Sequence, residues 1–230
     1  MHYTTQGIVL HFMKYRDTSI IAKIITKALG NQTYIIPGVR TKRPKYTSAF
    51  FQPLTRLEMV VHHRKQRHMQ RLSELQCSTP NTSIFTDRKK GALAIFLTEL
   101  LARVIQEEEK NEHLFDFLWT SITELNTETT YSEFFYASFM LQLSRYLGFD
   151  ISKPQYMSKL ITHAKNDLST QKEICKRVEF LYRGDQEKYL QTSHTIRRAI
   201  SGMLIRFYQY HIETLRTMKS LEILRAISRT

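Results

Sequence analysis

Arg40, Lys42, Arg43 and Lys45 place four cations within six consecutive positions, in the stretch GVRTKRPKY that begins at Gly38. Cations on a loop can follow a chain of phosphate groups, and each contact releases counterions that the nucleic acid had condensed around itself. The chemistry that this spacing favours is therefore electrostatic binding of a phosphate backbone, with no bond made or broken.

Aromatic residues follow the four cations at Tyr46, Phe50 and Phe51. An exposed aromatic face stacks on an unpaired base, and each such contact contributes roughly 1–3 kcal/mol. The alternative is that the two phenylalanines fill the mouth of a barrel, and we favour this core packing for Phe50 and Phe51. Further cations extend this candidate phosphate-binding surface at Lys14, Arg16, Arg56, Arg64, Lys65 and Arg67.

Motifs for covalent chemistry are missing from the sequence. There is no GxxxxGK[ST], GxGxxG, HExxH or GxSxG, so no phosphate-binding loop, zinc protease or nucleophile elbow is indicated. Adjacent His62 and His63 lie on a predicted strand and point to opposite faces, which argues against a shared metal ion. The two cysteines, Cys77 and Cys175, cannot form a four-cysteine zinc site. We therefore expect neither catalysis nor a cofactor.

The excess positive charge is concentrated at the start of the chain. The 230 residues carry a formal net charge of +13, which suits a polyanionic partner. Residues 1–80 hold 13 Lys and Arg against 3 Asp and Glu, and residues 81–230 hold 21 against 18. The polar, turn-forming stretch STPNTS at 78–83 separates the two regions and predicts a domain boundary, with one domain at 1–80 and a second at 81–230.

The elements that must position these cations are short strands. Alternating apolar residues such as Ile20, Ala22 and Ile24 indicate half-buried strands. We predict five, near 3–13, 19–27, 31–38, 53–63 and 68–76. Five short strands with little room for helices between them favour a small antiparallel barrel.

The second region has the period of helices. Apolar residues at helical spacing follow a Thr86-Asp87 cap, Asn111 and Ser132, and Gly148 has the position of a helix C′ residue. A long helix is predicted from about 194 to 216 and a last one from near Ser220. Residues 149–170 give no clear signal and are predicted to be irregular. The fold class is thus α+β, an all-β barrel followed by an all-α region.

The sequence has no recognisable secretion or membrane-spanning signal, which favours a cytosolic protein. The early apolar run GIVLHFM is short and contains a histidine, with no cleavage site after it. No stretch approaches the ~18 apolar residues of a membrane-spanning helix.

The chain resembles a known family along most of its length. The resemblance rests on the order and spacing of its stretches rather than on any single one: QGIVLHFMKYRDTSIIAKIIT at 6–26, TYIIPGVRTKR at 33–43, FQPLTRLEMVV at 51–61, RLSELQ at 71–76, FLTELLARVI at 96–105, LSRYLGFD at 143–150 and IRRAISGMLIRFYQYHIETLRTMKSLEILRAI at 196–227. These resemble the bacterial DNA repair and recombination mediator family RecO, and the ending MKSLEIL resembles its Bacteroides branch.

The resemblance implies an N-terminal OB-fold and a C-terminal helical domain. It also implies a non-enzymatic mediator that binds single- and double-stranded DNA, anneals complementary strands and helps to load recombinase onto strands coated by single-stranded DNA-binding protein. The implied partners are RecR and the acidic C-terminal tail of that coating protein. Arg40, Lys42 and Arg43 match the basic GxRxKR loop of the family. Many relatives carry a four-cysteine zinc module, which Cys175 alone cannot form.

The acidic tail is expected to dock on basic residues beside an apolar pocket of the helical domain. Candidates for this role are Arg145, Arg197, Arg198, Arg206 and Lys219. The alternative for the cations around 197–219 is an ordinary amphipathic helix with a basic outer face.

Three other functions compete with the mediator function. An OB protein directed at RNA would need contacts to the 2′-hydroxyl. A basic scaffold would bind acidic proteins and no DNA. A nuclease with a dispersed site would cleave labelled DNA when Mg²⁺ is added.

Overall fold

The computed structural model describes residues 1–64, 66–106, 109–127, 133–151 and 168–227. Its first 79 residues contain five strands. The strands are β1 (His2–Tyr15), β2 (Ser19–Thr26), β3 (Gly30–Ile36), β4 (Arg56–His62) and β5 (Met69–Thr79). A 3₁₀ turn, Ser48–Phe51, lies between β3 and β4. All five strands agree with the predicted positions to within a few residues.

The strands close into a barrel in the order β1-β2-β3-β5-β4. Four of the pairings are antiparallel, and only β3 with β5 is parallel. β1 is the longest strand because it pairs with β4 through its first half and with β2 through its second. This closed, OB-like arrangement confirms the predicted barrel.

Alternating residues of the strands fill the barrel. Val9, Ile20, Ile24 and Leu57 are fully buried in one apolar cluster. Gly7 faces Met59, whose Sδ would be only 2.4 Å from a Cβ at that position. The residue without a side chain therefore lets β1 and β4 lie close together at this point.

Helices dominate after Thr79. They are α1 (Thr82–Thr86), α2 (Arg88–Val104), α3 (Glu112–Thr127), α4 (Glu133–Tyr146), α5 (Leu168–Arg183), α6 (Gln186–Leu190), α7 (His194–His211) and α8 (Ser220–Ile227), with a 3₁₀ turn at Glu213–Thr217. The α+β fold class is thereby confirmed. None of the helices in the described ranges is long and apolar enough to cross a membrane.

By contacts, the chain divides into two compact units. Unit 1 comprises Met1–Thr129 and Lys219–Thr230, and unit 2 comprises Thr130–Met218. The change from strands to helices falls near residue 80, but α1, α2, α3 and α8 belong to the same unit as the barrel.

In unit 1, α2 packs against both β1 and α8. Asp87 caps α2, since its Oδ1 accepts hydrogen bonds from the backbone N–H groups of Lys89 at 2.8 Å and Lys90 at 2.9 Å. The carboxylate of Glu99 in α2 accepts a hydrogen bond from the backbone N–H of Ser220 at 2.9 Å. Through this bond α2 holds the first residue of α8.

In unit 2, α4, α5 and α7 pack against one another. Tyr208 is fully buried and its hydroxyl donates to the carbonyl oxygen of Met140 at 2.6 Å. Gly148, at φ +82°, follows α4 in the left-handed conformation expected of a C′ residue.

The helix predicted over 194–216 is shorter than expected. α7 ends at His211 because Ile212 is extended, with φ −131° and ψ 100°, and a 3₁₀ turn follows that buries Leu215. The predicted irregular stretch 149–170 falls largely on residues 152–167, outside the described residues, and α5 begins within its last part. The helix start predicted at Ser132 is also outside the described residues.

Candidate nucleic-acid interface

The cations at Arg40, Lys42, Arg43 and Lys45 lie on one exposed loop, residues 37–47, which we call the basic loop. The loop leaves β3 through Gly38, which has φ +75°, a conformation that glycine adopts readily. The next residue, Val39, is buried in the barrel core, and the hydroxyl of Thr41 donates to the carbonyl of Gly38 at 2.8 Å. The start of the basic loop is thus anchored to the barrel, while the four cations of the loop remain exposed to solvent.

Two hydrogen bonds join the basic loop to the turn between β1 and β2. The backbone N–H of Arg40 donates to the carbonyl of Thr18 at 3.0 Å, and the Arg40 guanidinium donates to the carbonyl of Arg16 at 3.1 Å. Arg16 is exposed, as is Lys14 near the end of β1. The contacts bring two predicted groups of cations, 20 or more positions apart in sequence, to the same end of the barrel.

None of the six cations Lys14, Arg16, Arg40, Lys42, Arg43 and Lys45 forms an ion pair with any described residue. Their positive charge is therefore not neutralised within the described protein. A surface with this property attracts polyanions, and the attraction weakens as salt is added.

The aromatic residues beside the basic loop are packed rather than free. Phe51 is fully buried, and Phe50 packs against the barrel core, as predicted. The rings of Tyr46 and Phe50 meet edge to face at 6.1 Å, and the Tyr46 hydroxyl accepts a hydrogen bond from the backbone N–H of Leu75 at 3.3 Å. Contact with that hydroxyl raises the pKa of Lys45, whose ammonium lies 5.0 Å from the ring centre. These aromatic residues therefore pack between the basic loop and the barrel core.

Arg56 does not lie on this surface. Its residue is only 3% exposed, and its guanidinium hydrogen-bonds the hydroxyl of Thr123 and lies 5.6 Å from the centre of the Trp119 ring. Burial lowers the pKa of this guanidinium. Since Arg56 joins the barrel to α3, we remove it from the predicted DNA contacts. Lys65 lies outside the described residues.

The candidate docking cations of the helical region have different surroundings. In unit 2, the Arg145 guanidinium lies 4.4 Å from the ring centre of exposed Tyr182 and 3.9 Å from the Asp150 carboxylate. Arg197 donates to the carbonyls of Leu190 at 2.7 Å and Thr192 at 2.8 Å, so it joins the start of α7 to the segment before it.

Arg198 and Arg206 are exposed on α7. Lys219 is exposed and belongs to unit 1, where its backbone N–H faces Glu99. The structure thus places four of the five candidates in unit 2 and the fifth in the other unit.

Metal ligands do not cluster in the described ranges, where no group of three or more His, Cys, Asp and Glu side chains is close enough to hold an ion. Cys77 and Cys175 are free thiols. His62, the last residue of β4, lies against the ring of His2, and the next residue, His63, lies against the ring of Tyr3.

Two family models match the chain in succession. The model described as recombination protein O N terminal matches residues 1–81, and the model described as recombination protein O C terminal matches residues 86–155. The chain belongs to the RecO family. The N-terminal RecO match ends two residues after the last barrel strand, so the family's first module coincides with the barrel.

Curated RecO proteins align with nearly the whole chain. The DNA repair protein RecO of Christiangramia forsetii is 33% identical, over 97% of this chain and 98% of the relative. That of Flavobacterium psychrophilum is 30% identical over 99% of both chains, and that of Bacteroides fragilis is 31% identical over 97% and 98%. The matched models and these names together indicate a protein of DNA repair and recombination.

Proposed function

We propose that this RecO protein is a non-enzymatic mediator of recombinational repair that binds single- and double-stranded DNA and anneals complementary strands. The observation that carries the proposal is the set of six exposed cations on the basic loop and at the adjoining end of β1 and its turn, without ion pairs to the described residues. The proposed DNA contacts are Lys14, Arg16, Arg40, Lys42, Arg43 and Lys45.

The proposed mechanism is electrostatic. Phosphate contacts hold a strand without reading its sequence, because phosphates carry no base information. The cations reduce the repulsion between two strands and leave their base edges free to pair. Because Tyr46, Phe50 and Phe51 are packed against the barrel, base stacking contributes less to binding than the phosphate contacts do.

The helical region has a separate role in the proposal, as the docking surface for proteins. We propose the acidic C-terminal tail of single-stranded DNA-binding protein as one partner and RecR as another, so that the protein helps to load recombinase onto coated strands in the cytoplasm, at the nucleoid. Arg145 and Tyr182 are the strongest candidates for the tail, because they place an exposed ring beside a cation.

The experiment that tests the proposed function is strand annealing with a fluorophore and a quencher on complementary oligonucleotides. The proposal expects faster annealing with the protein, tolerance of any sequence, and intact oligonucleotides after incubation with Mg²⁺. Absence of acceleration would contradict the mediator function and favour a scaffold for acidic proteins. Cleavage would favour a nuclease, and preference for an RNA strand of equal length would favour the RNA-directed alternative.

A further inference from the structure

A cleft at the other end of β1 is lined by basic and titratable side chains that the basic loop does not include. We call it the histidine cleft; its volume is about 350 Å³, and its polar lining includes His2, His62, Arg64, Arg67, Gln70 and Arg71. Along β1 it is roughly 40 Å from the β1–β2 turn, at about 3.3 Å for each residue. None of the described residues that line it carries a carboxylate.

Strand register places three of these groups in one row. His2 pairs with His62 across β1 and β4, and His62 pairs with Arg71 across β4 and β5. Residues directly opposite each other on neighbouring strands project to the same face, and like charges in such positions are destabilising. A protonated His62 would therefore be repelled by the Arg71 guanidinium opposite it, and a bound anion would relieve that repulsion.

The buried side chain of Gln70 holds the backbone of the turn that carries Arg64 and Arg67. Gln70 is 2% exposed, and its Oε1 accepts from the backbone N–H of Arg64 at 2.8 Å. Its Nε2 donates to the carbonyls of Arg64 at 3.0 Å and Arg67 at 2.6 Å. The backbone that presents both arginines is thus fixed by three hydrogen bonds from one amide, so the side chains can be replaced without loss of these bonds.

A hydrogen bond joins the two histidines of the cleft. His62 Nδ1 lies 3.2 Å from His2 Nε2, and His62 Nε2 accepts a hydrogen bond from Arg64 Nε at 3.1 Å. A nitrogen that accepts from a guanidinium carries no proton of its own, so His62 is neutral and donates through Nδ1 to His2. Protonation of His62 would break the bond with Arg64 and leave the guanidinium free.

The titratable groups that face His62 in the cleft are basic. They are the Met1 amine just before β1, His2 from β1, Arg64 and Arg67 from the turn, and Arg71 from β5. Burial, the Met1 amine and its other cationic neighbours lower the pKa of His62. A bound anion opposes the effect of these cations and raises that pKa again, so binding takes up a proton and affinity increases as the pH falls.

We propose that the histidine cleft binds a phosphate group of a DNA strand, most tightly when His62 is protonated. The inference rests on the proposed DNA-binding function for the identity of the strand, and adds a second phosphate contact that is sensitive to pH.

The first test uses sulfate as the probe, because this tetrahedral dianion does not titrate between pH of about 6 and about 8, where histidine does. Sulfate is added at constant ionic strength while the imidazole NMR signals of the full chain are followed. The proposal expects saturable shifts of the His2 and His62 signals. The affinity for sulfate is expected to fall by up to about tenfold for each unit by which the pH rises, if binding takes up one proton.

Two pairs of substitutions remove equal charge in different places. Arg64→Gln with Arg67→Gln is expected to abolish saturation, whereas Arg88→Gln with Lys89→Gln, exposed at the start of α2, is expected to leave it intact. His62→Gln is expected to keep sulfate binding and flatten its pH dependence. Equal sulfate affinity in the wild type and the Arg64/Arg67 variant would overturn the proposed site.

DNA then identifies the source of the phosphate. Oligonucleotides with a 5′-phosphate and with a 5′-hydroxyl are compared: equal losses of affinity in the Arg64/Arg67 variant assign the cleft to the strand backbone, and a loss confined to the 5′-phosphate assigns it to strand ends. No loss with either would overturn the DNA assignment. Because sulfate binding does not depend on DNA, failure of annealing with intact sulfate binding would count against the proposed function alone.

Discussion

The cations of the first region differ in what holds their side chains. Arg40 uses one guanidinium nitrogen to fasten the basic loop to the β1–β2 turn, yet remains exposed. Arg56 lies under α3 and touches Trp119 and Thr123. Residue type and net charge are therefore poor guides to which arginine reaches DNA, since the same side chain serves as a surface cation at one position and a buried contact at another.

The salt dependence of binding tests the loop cations directly. Arg40, Lys42 and Arg43 together changed to Ala are expected to reduce the slope of log affinity against log salt concentration by about 2, because each lost contact to a single strand removes roughly 0.7 from it. The measurement is fluorescence anisotropy of a labelled single strand across a salt series. An unchanged slope would show that these residues do not contact phosphates.

Arg56 is expected to affect stability and not DNA binding. Arg56→Ala removes the contact with Trp119 and leaves the Thr123 hydroxyl without its buried donor, which costs about 2 kcal/mol of unfolding free energy. Urea unfolding measures this loss, and the salt slope for DNA is expected to stay at its wild-type value. Arg43→Ala serves as the matched control and is expected to change stability by less than about 0.5 kcal/mol.

At the scale of elements, local sequence patterns predicted the strands well and the helices in part. Alternation in Ile20, Ala22 and Ile24 is a direct consequence of one strand face lying in the barrel. α5 was missed although Ile174, Val178 and Leu181, all buried, have the i, i+4, i+7 spacing of a helix. The end of α7 depends on how Leu215 is buried, which is a matter of tertiary packing that periodicity does not contain.

Predicting the histidine cleft would have required the register of strand pairing as well as the local sequence pattern. The basic loop was predictable because its four cations lie within six consecutive positions, whereas the contact of His2 with His62 joins residues 60 positions apart through the pairing of β1 with β4. The sequence signal was only the presence of cations at Arg64 and Arg67 after two histidines. Which strand would lie opposite them could not be deduced without the barrel closure.

The contact between α2 and α8 is expected to weaken in acid. Burial by itself would raise the pKa of Glu99, but hydrogen bonds from Ser220 and from Arg103 outweigh it and lower the pKa below its ordinary value of 4.5. The stabilisation is therefore present above pH 4.5 and is lost as the pH falls through the lowered pKa.

Glu99→Gln tests this contact. The substitution removes the charge that both donors share and is expected to lower the unfolding free energy by about 1–2 kcal/mol near neutral pH. Below the pKa of Glu99 the variant and the wild type are expected to converge. Urea unfolding across a pH series measures the difference, and a gap that stays constant into acid would contradict the role of the carboxylate.

At the scale of the whole molecule, the change from strands to helices and the boundary between the two compact units fall at different places in the chain. Strands give way to helices after Thr79, yet α1, α2, α3 and α8 belong to the unit that contains the barrel. The composition shift at 78–83 marks the first of these changes. The return of the last helix to unit 1 involves residues more than 100 positions apart, and no local signal in the sequence announces it.

Removal of α8 is expected to destabilise the unit that contains the barrel. A chain that ends at Met218 loses the helix that packs on α2 and leaves Glu99 without the Ser220 N–H. We expect a lower urea midpoint for the barrel unit, followed by the fluorescence of Trp119 in α3. An unchanged midpoint would show that α8 contributes nothing to this unit.

The central claim is that this RecO protein brings complementary strands together through the basic loop. Its most direct test is annealing of oligonucleotides coated with the cognate single-stranded DNA-binding protein, with Arg40→Ala, Lys42→Ala and Arg43→Ala combined in one variant. Arg88→Ala, Lys89→Ala and Lys172→Ala, all exposed and outside the loop, form a control of equal charge. We predict rapid annealing by the wild type and the control, and none above background by the folded loop variant. Equal annealing by all three proteins would contradict the assignment of the loop, and no annealing by any of them would contradict the mediator function.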